Sequence, residues 1–323
     1  MSADDPAAVW RRLAGLTPAR IALGRAGSGL PTREVLRFGL AHAQARDAVH
    51  TPLDADAVRA GIQALGFETL AAASAAPDRA TYLRRPDLGR RLDEASTAAL
   101  AAAAGDPVDL ALVVADGLSA RAVHEGAVPL LAALKPALTG SGWRLAPVVV
   151  ATQGRVALGD AVGALLKARA VAVLIGERPG LSSPDSLGIY LTFDPRPGRT
   201  DAERNCLSNV RVAGLKADLA AFKLHWLIDQ ALSRRLTGVA LKDESDRLLA
   251  GPGENPIGGA RLNPPPLRGR VPRGAGRERG TTLPDEAEPF WSAPLGQRRA
   301  APFPAPFPRR GGRVQGRAIV RRF

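Results

Sequence analysis

The chain has 323 residues, 46% of them hydrophobic, and a formal net charge of +13, so it is long enough to bury one large core or two smaller ones. No apolar run reaches the roughly 18 to 20 uncharged residues of a spanning helix, which excludes a membrane helix, and a single cysteine, Cys206, excludes an internal disulfide or a cysteine-built metal cluster. Residues 251–323 carry 14 arginines and no lysine against 5 acidic residues, leaving +4 for the rest; the basic character belongs to a tail and does not mark a folded nucleic-acid surface.

The opening MSADDPAAVWRRL has acids where an export signal has bases, and no apolar stretch behind them, so the expected location is the cytoplasm. Residues 1–105 read as a helical region. In its first helix Val9, Leu13 and Leu16 recur at helical spacing. In the second, Thr32 is the expected N-cap, Val35, Leu36, Leu40 and Ala43 form the apolar face, and Arg33, Arg37 and Arg46 lie opposite. Between them LGRAGSGLPT places Gly24, Gly27 and Gly29 around Arg25, an order that is not a dinucleotide fingerprint. Alanine-rich segments at 55–76 and 91–104 complete the helical zone.

The period then changes. Residues 109–117, 145–152 and 171–177 are short Val- and Leu-rich runs ending in Gly or polar residues, the pattern of buried strands. Helices are expected between them at 127–138, with a break at Pro136, and at 159–168, capped by Asp160. A fourth strand is expected at 189–193 and a long helix at 215–236. The alternation predicts an α/β fold, a Rossmann-like parallel sheet flanked by helices, over 106–245. Cys206 sits among Asn205, Ser208 and Asn209, which favour irregular backbone. From 246 to 323 the chain becomes rich in Pro, Arg and Gly and reads as a disordered tail.

In an open parallel sheet, ligands bind beyond the carboxyl ends of the strands. The three loops there, ADGLSARAV, ATQGRVALGD and GERPGLSSPDSLG, each combine glycine with polar or charged groups. Glu177 directly follows a strand; its carboxylate is either an acceptor for a polar ligand or half of an internal pair with Arg178. Arg25, Asp116, Arg155 and Asp160 are candidate interface or loop-ordering residues, against the plainer reading of caps and surface ion pairs. No GxSxG or Walker A loop is present, and His42, His50, His124 and His225 lack metal-binding spacing.

Together the strings LGRAG, LRFGLAHAQARDAVH, YLRRPDLGRRL, ADGLS, GRVALGD, LIGERPGLSSPDSLG and RNCLSNV, in this order, closely resemble the small (light) subunit of ethanolamine ammonia-lyase. The resemblance spans about residues 6–245. It implies adenosylcobalamin-dependent conversion of ethanolamine to acetaldehyde and ammonia, by a hetero-oligomer with a large TIM-barrel subunit, this chain being inactive alone. It further implies that the small subunit covers cobalamin at the subunit interface, and its cofactor contacts carry over to Val156, Glu177 and Cys206. Because no histidine here stands in a DxHxxG context, the resemblance implies base-on binding, with dimethylbenzimidazole kept on cobalt. A longer N-terminal extension accompanies microcompartment targeting in such proteins, and its absence here argues against encapsulation. The rival reading from another class is a non-catalytic α/β binding or structural protein without an enzyme partner. Nucleic-acid binding through the arginine-rich tail ranks behind both.

Overall fold

A computed structural model of the chain describes residues 6–17 and 19–249. Of the tail expected over 246–323, residues 246–249 are helical, a correction to that boundary, and the rest, like the acidic residues before the first helix, lies outside the described residues. The chain starts with α1 (Pro6–Ala14), α2 (Thr32–His50) and α3 (Ala55–Ala64), followed by strand β1 (Thr69–Ala73). After α4 (Arg79–Arg84), a 3-10 turn (Leu88–Arg90) and α5 (Glu94–Ala103) come β2 (Val108–Ala115), α6 (Ala120–Ser141), β3 (Val148–Thr152), α7 (Leu158–Leu165) and β4 (Ala168–Gly176). β5 (Leu187–Phe193), β6 (Arg204–Val210), α8 (Ala217–Arg234) and the short α9 (Asp246–Leu249) complete it. No helix among the described residues is long and apolar enough to cross a membrane.

The six strands form one sheet in the order β1-β3-β2-β4-β5-β6. The first four run parallel; β5 is antiparallel to β4, and β6 to β5. Alternation along each strand makes two cores. Leu110, Leu112 and Val114 of β2 face Leu130, Leu134 and Leu138 of α6 and Leu224 and Ile228 of α8. On the other face Ala111, Val113 and Ala115 meet Leu158 and Val162 of α7 and Leu100 of α5. The helices that follow the neighbouring strands β2 and β3 therefore cover opposite faces of the sheet. Their loops diverge at the carboxyl ends of those strands and open a crevice there.

Sequence expectations change in four elements. β1 lies inside the segment 55–76 that reads as helix; its register with Thr69 on Val148 through Ala73 on Thr152 outweighs the helix preference of TLAAA. The RNCLSNV stretch, expected to be irregular, is the edge strand β6. α6 begins seven residues earlier than expected, capped by the Ser119 hydroxyl, and runs through both Pro129 and Pro136. An interior proline costs about 3 kcal/mol, but the buried Leu130, Leu131, Leu134 and Leu138 around it hold the helix to the sheet. In α2, Pro31 rather than Thr32 occupies the cap position. The row expected to face the core is on the surface, with Leu36 67% and Leu40 61% exposed, while Glu34, Ala41 and Ala48 face inward. Arg33 and Arg37 lie against Glu34.

Candidate functional site

The loops after β2, β3 and β4 interlock through a few polar anchors. Asp116, at the end of β2, is 2% exposed. One of its carboxylate oxygens accepts the Gly154 amide of the β3 loop at 3.0 Å, and the other lies 3.2 Å from the Arg79 guanidinium. Arg79 also donates to the Gly117 carbonyl at 2.8 Å and the Val49 carbonyl at 2.7 Å. Burial pushes the Asp116 carboxyl above its ordinary value, opposed by Arg79 and by the amides of Gly154, Gln153 and Gly117. Tyr82 is fully buried and donates its hydroxyl to the Gly154 carbonyl at 3.0 Å. The guanidiniums of Arg79 and Arg155 lie 4.8 and 4.3 Å from its ring centre.

The β2 and β4 loops touch backbone to backbone. Gly117 adopts φ +55, and a Cβ there would fall 2.2 Å from the Gly176 carbonyl; one on Gly176 would fall 2.0 Å from that of Ser119. Only glycine fits either position.

Glu177 follows at once. Its carboxylate does not pair with Arg178. Instead Oε1 accepts the Ser208 hydroxyl at 2.6 Å, and Oε2 accepts the Ser186 hydroxyl and the Asn209 amide, the latter at 3.1 Å. Asn209 stands at φ +60, and this bond holds its left-handed backbone at the end of β6. The expected internal pair with Arg178 is thereby corrected: the staple is real, but its partners are hydroxyls and an amide on β6 and the β4–β5 loop.

Val156 and Glu177 line one cavity of about 500 Å³ together with Tyr82, Gly117, Arg155 and Tyr190. Cys206 is one strand further out, paired in register with Tyr190 and exposed. Partial desolvation pushes its thiol up, as does the charge of Glu177, against a hydrogen bond with the Tyr190 hydroxyl. That direction keeps the thiol protonated and argues for packing rather than nucleophilic work. Asp160 is neither a cap nor a surface ion: its two oxygens take Arg204 at 2.6 and 2.7 Å, with both side chains almost completely buried. Arg25 lies exposed in the turn before α2 and joins none of these groups. Among the described residues no three His, Cys, Asp or Glu side chains cluster as metal ligands.

Set against known proteins, the chain matches the model of the family described as ethanolamine ammonia-lyase light chain over residues 7–242. The chain belongs to that family. It is similar to the ethanolamine ammonia-lyase small subunit of Xanthomonas campestris pv. campestris, at 57% identity over 249 residues, covering 76% of this chain and 92% of the relative. The corresponding subunit of Bradyrhizobium diazoefficiens is 58% identical over 246 residues, covering 75% and 94%. That of Pseudomonas aeruginosa PAO1 is 55% identical over 248 residues, covering 76% and 90%. Within this light-chain family member, sequence reasoning missed Arg79, Tyr82, Arg204 and Ser208 as organisers of the loops. Arg79 and Tyr82 lie between the alanine-rich segments 55–76 and 91–104 with no motif around them, and a buried salt-bridge partner such as Arg204 has no local signature.

Proposed function

We propose that this chain is the small subunit of an adenosylcobalamin-dependent ethanolamine ammonia-lyase, inactive alone. With a large subunit it converts ethanolamine to acetaldehyde and ammonia. Its cavity at the ends of β2, β3 and β4 is the part that meets cobalamin, with Val156, Glu177 and Cys206 in contact. The observation that carries the reading is the convergence of Val156 and Glu177, from two different strand ends, on one cavity. Cys206 lies beside it across Tyr190.

The residues present fit the group. A corrin edge carries amide side chains and broad apolar surface. Val156 and the Tyr190 ring offer apolar contact, and Glu177 Oε1, with one bond to Ser208, retains acceptor capacity for an amide N–H. When bound, adenosylcobalamin supplies the radical chemistry by homolysis of its cobalt–carbon bond. The task of this chain is positioning: Asp116, Arg79 and Tyr82 hold the β2 and β3 loops, and Glu177 ties the β4 end to β6. None of the four histidines lines the cavity, in keeping with a cofactor that keeps its own benzimidazole on cobalt. The exposed apolar residues Trp10 and Leu13 of α1 and Leu36 and Leu40 of α2 form the surface we assign to the large subunit.

The test is reconstitution. The purified chain, a large subunit, adenosylcobalamin and ethanolamine together should release acetaldehyde, and each subunit alone should release none. Failure with a large subunit that is active alongside its own small subunit refutes the assignment.

A further inference from the structure

We propose that the phosphodiester of the cofactor's nucleotide tail is anchored by Arg155 in a second, larger cavity, an inference that rests on the cobalamin reading above. This cavity, of about 1030 Å³, lies between the Leu88–Arg90 turn, α7 and residues 197–204, and shares Arg155 and Val156 with the first. Its floor of Leu92, Ala161, Leu165 and Pro197 is apolar.

Five arginines line it, and two of them are already neutralised. Arg204 is committed to Asp160, and Arg199 to Asp194 and Glu203. Asp201, the one acid among the residues lining this cavity, is turned to solvent and lies 3.5 Å from Arg204. The remaining three lack such compensation. The nearest carboxylate to Arg91 is Asp87 at 3.9 Å, which already takes two bonds from Arg85 at 2.8 and 2.7 Å. Arg90 pairs with no acid among the described residues. Arg155 faces no carboxylate: its Nε is buried without a partner, and its guanidinium lies over the Tyr82 ring and donates only to the neutral Tyr82 carbonyl, at 3.4 Å. Its backbone amide donates to the Gly89 carbonyl at 2.7 Å, which brings residues 89–91 alongside it. The amides of Val156 and Ala157, just before α7, donate to no described residue either.

Two guanidiniums without an acid partner, a third only loosely paired at 3.9 Å, and two free amides over an apolar floor call for an anion, and the guanidinium fork matches phosphate oxygens. The phosphodiester is the negatively charged group of cobalamin's nucleotide tail. The shared wall at Arg155 and Val156 sets the anion site directly beside the proposed corrin contact, which favours that phosphate over a free one.

The test measures ligand retained by the assembled two-subunit complex, read by corrin absorbance after ultrafiltration, for cyanocobalamin, cobinamide phosphate and cobinamide. Arg155→Gln should weaken the two phosphate-bearing ligands about 10-fold and cobinamide less than about 2-fold. Arg90→Ala, at an exposed side chain that holds nothing in the fold, should weaken the same two about 3-fold. Equal loss for all three ligands, or no loss for cobinamide phosphate in either variant, overturns the anchor. A wild-type complex that binds all three equally also overturns it while the cofactor reading stands. A wild-type complex that binds none of them refutes both.

Discussion

The ion pair between Asp160 and Arg204 ties α7, which follows Val156, to β6, which carries Cys206, so its removal should disturb fold and site together. The side chains are 1% and 2% exposed and joined by two bonds of 2.6 and 2.7 Å. Desolvation alone would lower the Arg204 pKa, but the bonds and charge of Asp160, with a smaller contribution from Asp201, outweigh it and raise the value. In Asp160→Asn, the amide keeps one acceptor for the guanidinium and turns an N–H toward its other arm. Arg204 retains the neutral Thr192 hydroxyl and Arg199 carbonyl, each at 2.9 Å, and has one charge left nearby, the solvent-facing Asp201 carboxylate 3.5 Å from its Nε, which water screens. Breaking a buried pair on one side costs about 3 to 5 kcal/mol; with two neutral acceptors and the screened Asp201 carboxylate left, the lower end, about 3 kcal/mol, is expected. For a domain of this size that lowers Tm by roughly 6 to 12 °C. Equilibrium urea unfolding and thermal melts of the single variant measure this directly. The double variant Asp160→Asn, Arg204→Met removes the orphaned charge and should recover about 1 kcal/mol or more. A loss below about 1 kcal/mol in the single variant, or no recovery in the double, refutes the account of a desolvated, mutually dependent pair.

The hydrogen-bond set of Glu177 makes a graded prediction. Glu177→Gln can turn its amide nitrogen toward Ser208 and keep its carbonyl for Ser186 and Asn209, so it should cost about 1 kcal/mol of unfolding free energy. Glu177→Ala strands the Asn209 amide and should cost about 2 kcal/mol with a clear drop in cobalamin retention; equal effects of the two would mean that charge, not bonding, matters. Cys206→Ser should leave cobalamin retention and activity of the complex within about 3-fold, since the protonated thiol packs rather than reacts; loss of activity with intact assembly would assign it chemistry. Glu203 is held down to about 2 by the Thr200 amide first, then by Arg199 and the Thr200 hydroxyl. A depressed carboxyl stabilises the fold above its unfolded value, near 4.5, and loses that contribution as pH falls toward about 2. The Tm gap between wild type and Glu203→Gln should therefore shrink on going from pH 6 to pH 3, and a gap that widens contradicts it.

Apolar periodicity alone determined β2, β3, β4 and the long α8, because a strand buried on both faces leaves a run of Val, Leu and Ala that solvent-facing backbone does not tolerate. The same strings carried the family, and the glycine-bearing loops after those strands pointed to the site. Three things were settled only in three dimensions. TLAAA is a strand because β3 offers its free edge there, a long-range pairing that local helix preference cannot report. RNCLSNV is a strand although it reads as a polar loop, because it is the edge strand of the sheet and its pairing with β5 is irregular, so its buried residues Arg204, Leu207 and Val210 fall three apart and leave no two-residue alternation to read. The apolar row of α2 points outward because the inner face of that helix is taken by small alanines packed closely against the domain. The salt bridge of Asp160, the staple of Glu177 and the contact of Arg155 with Tyr82 join residues between 9 and 73 positions apart. Such contacts depend on which strand ends become neighbours, and strand order is a property of the sheet as a whole rather than of any segment within it.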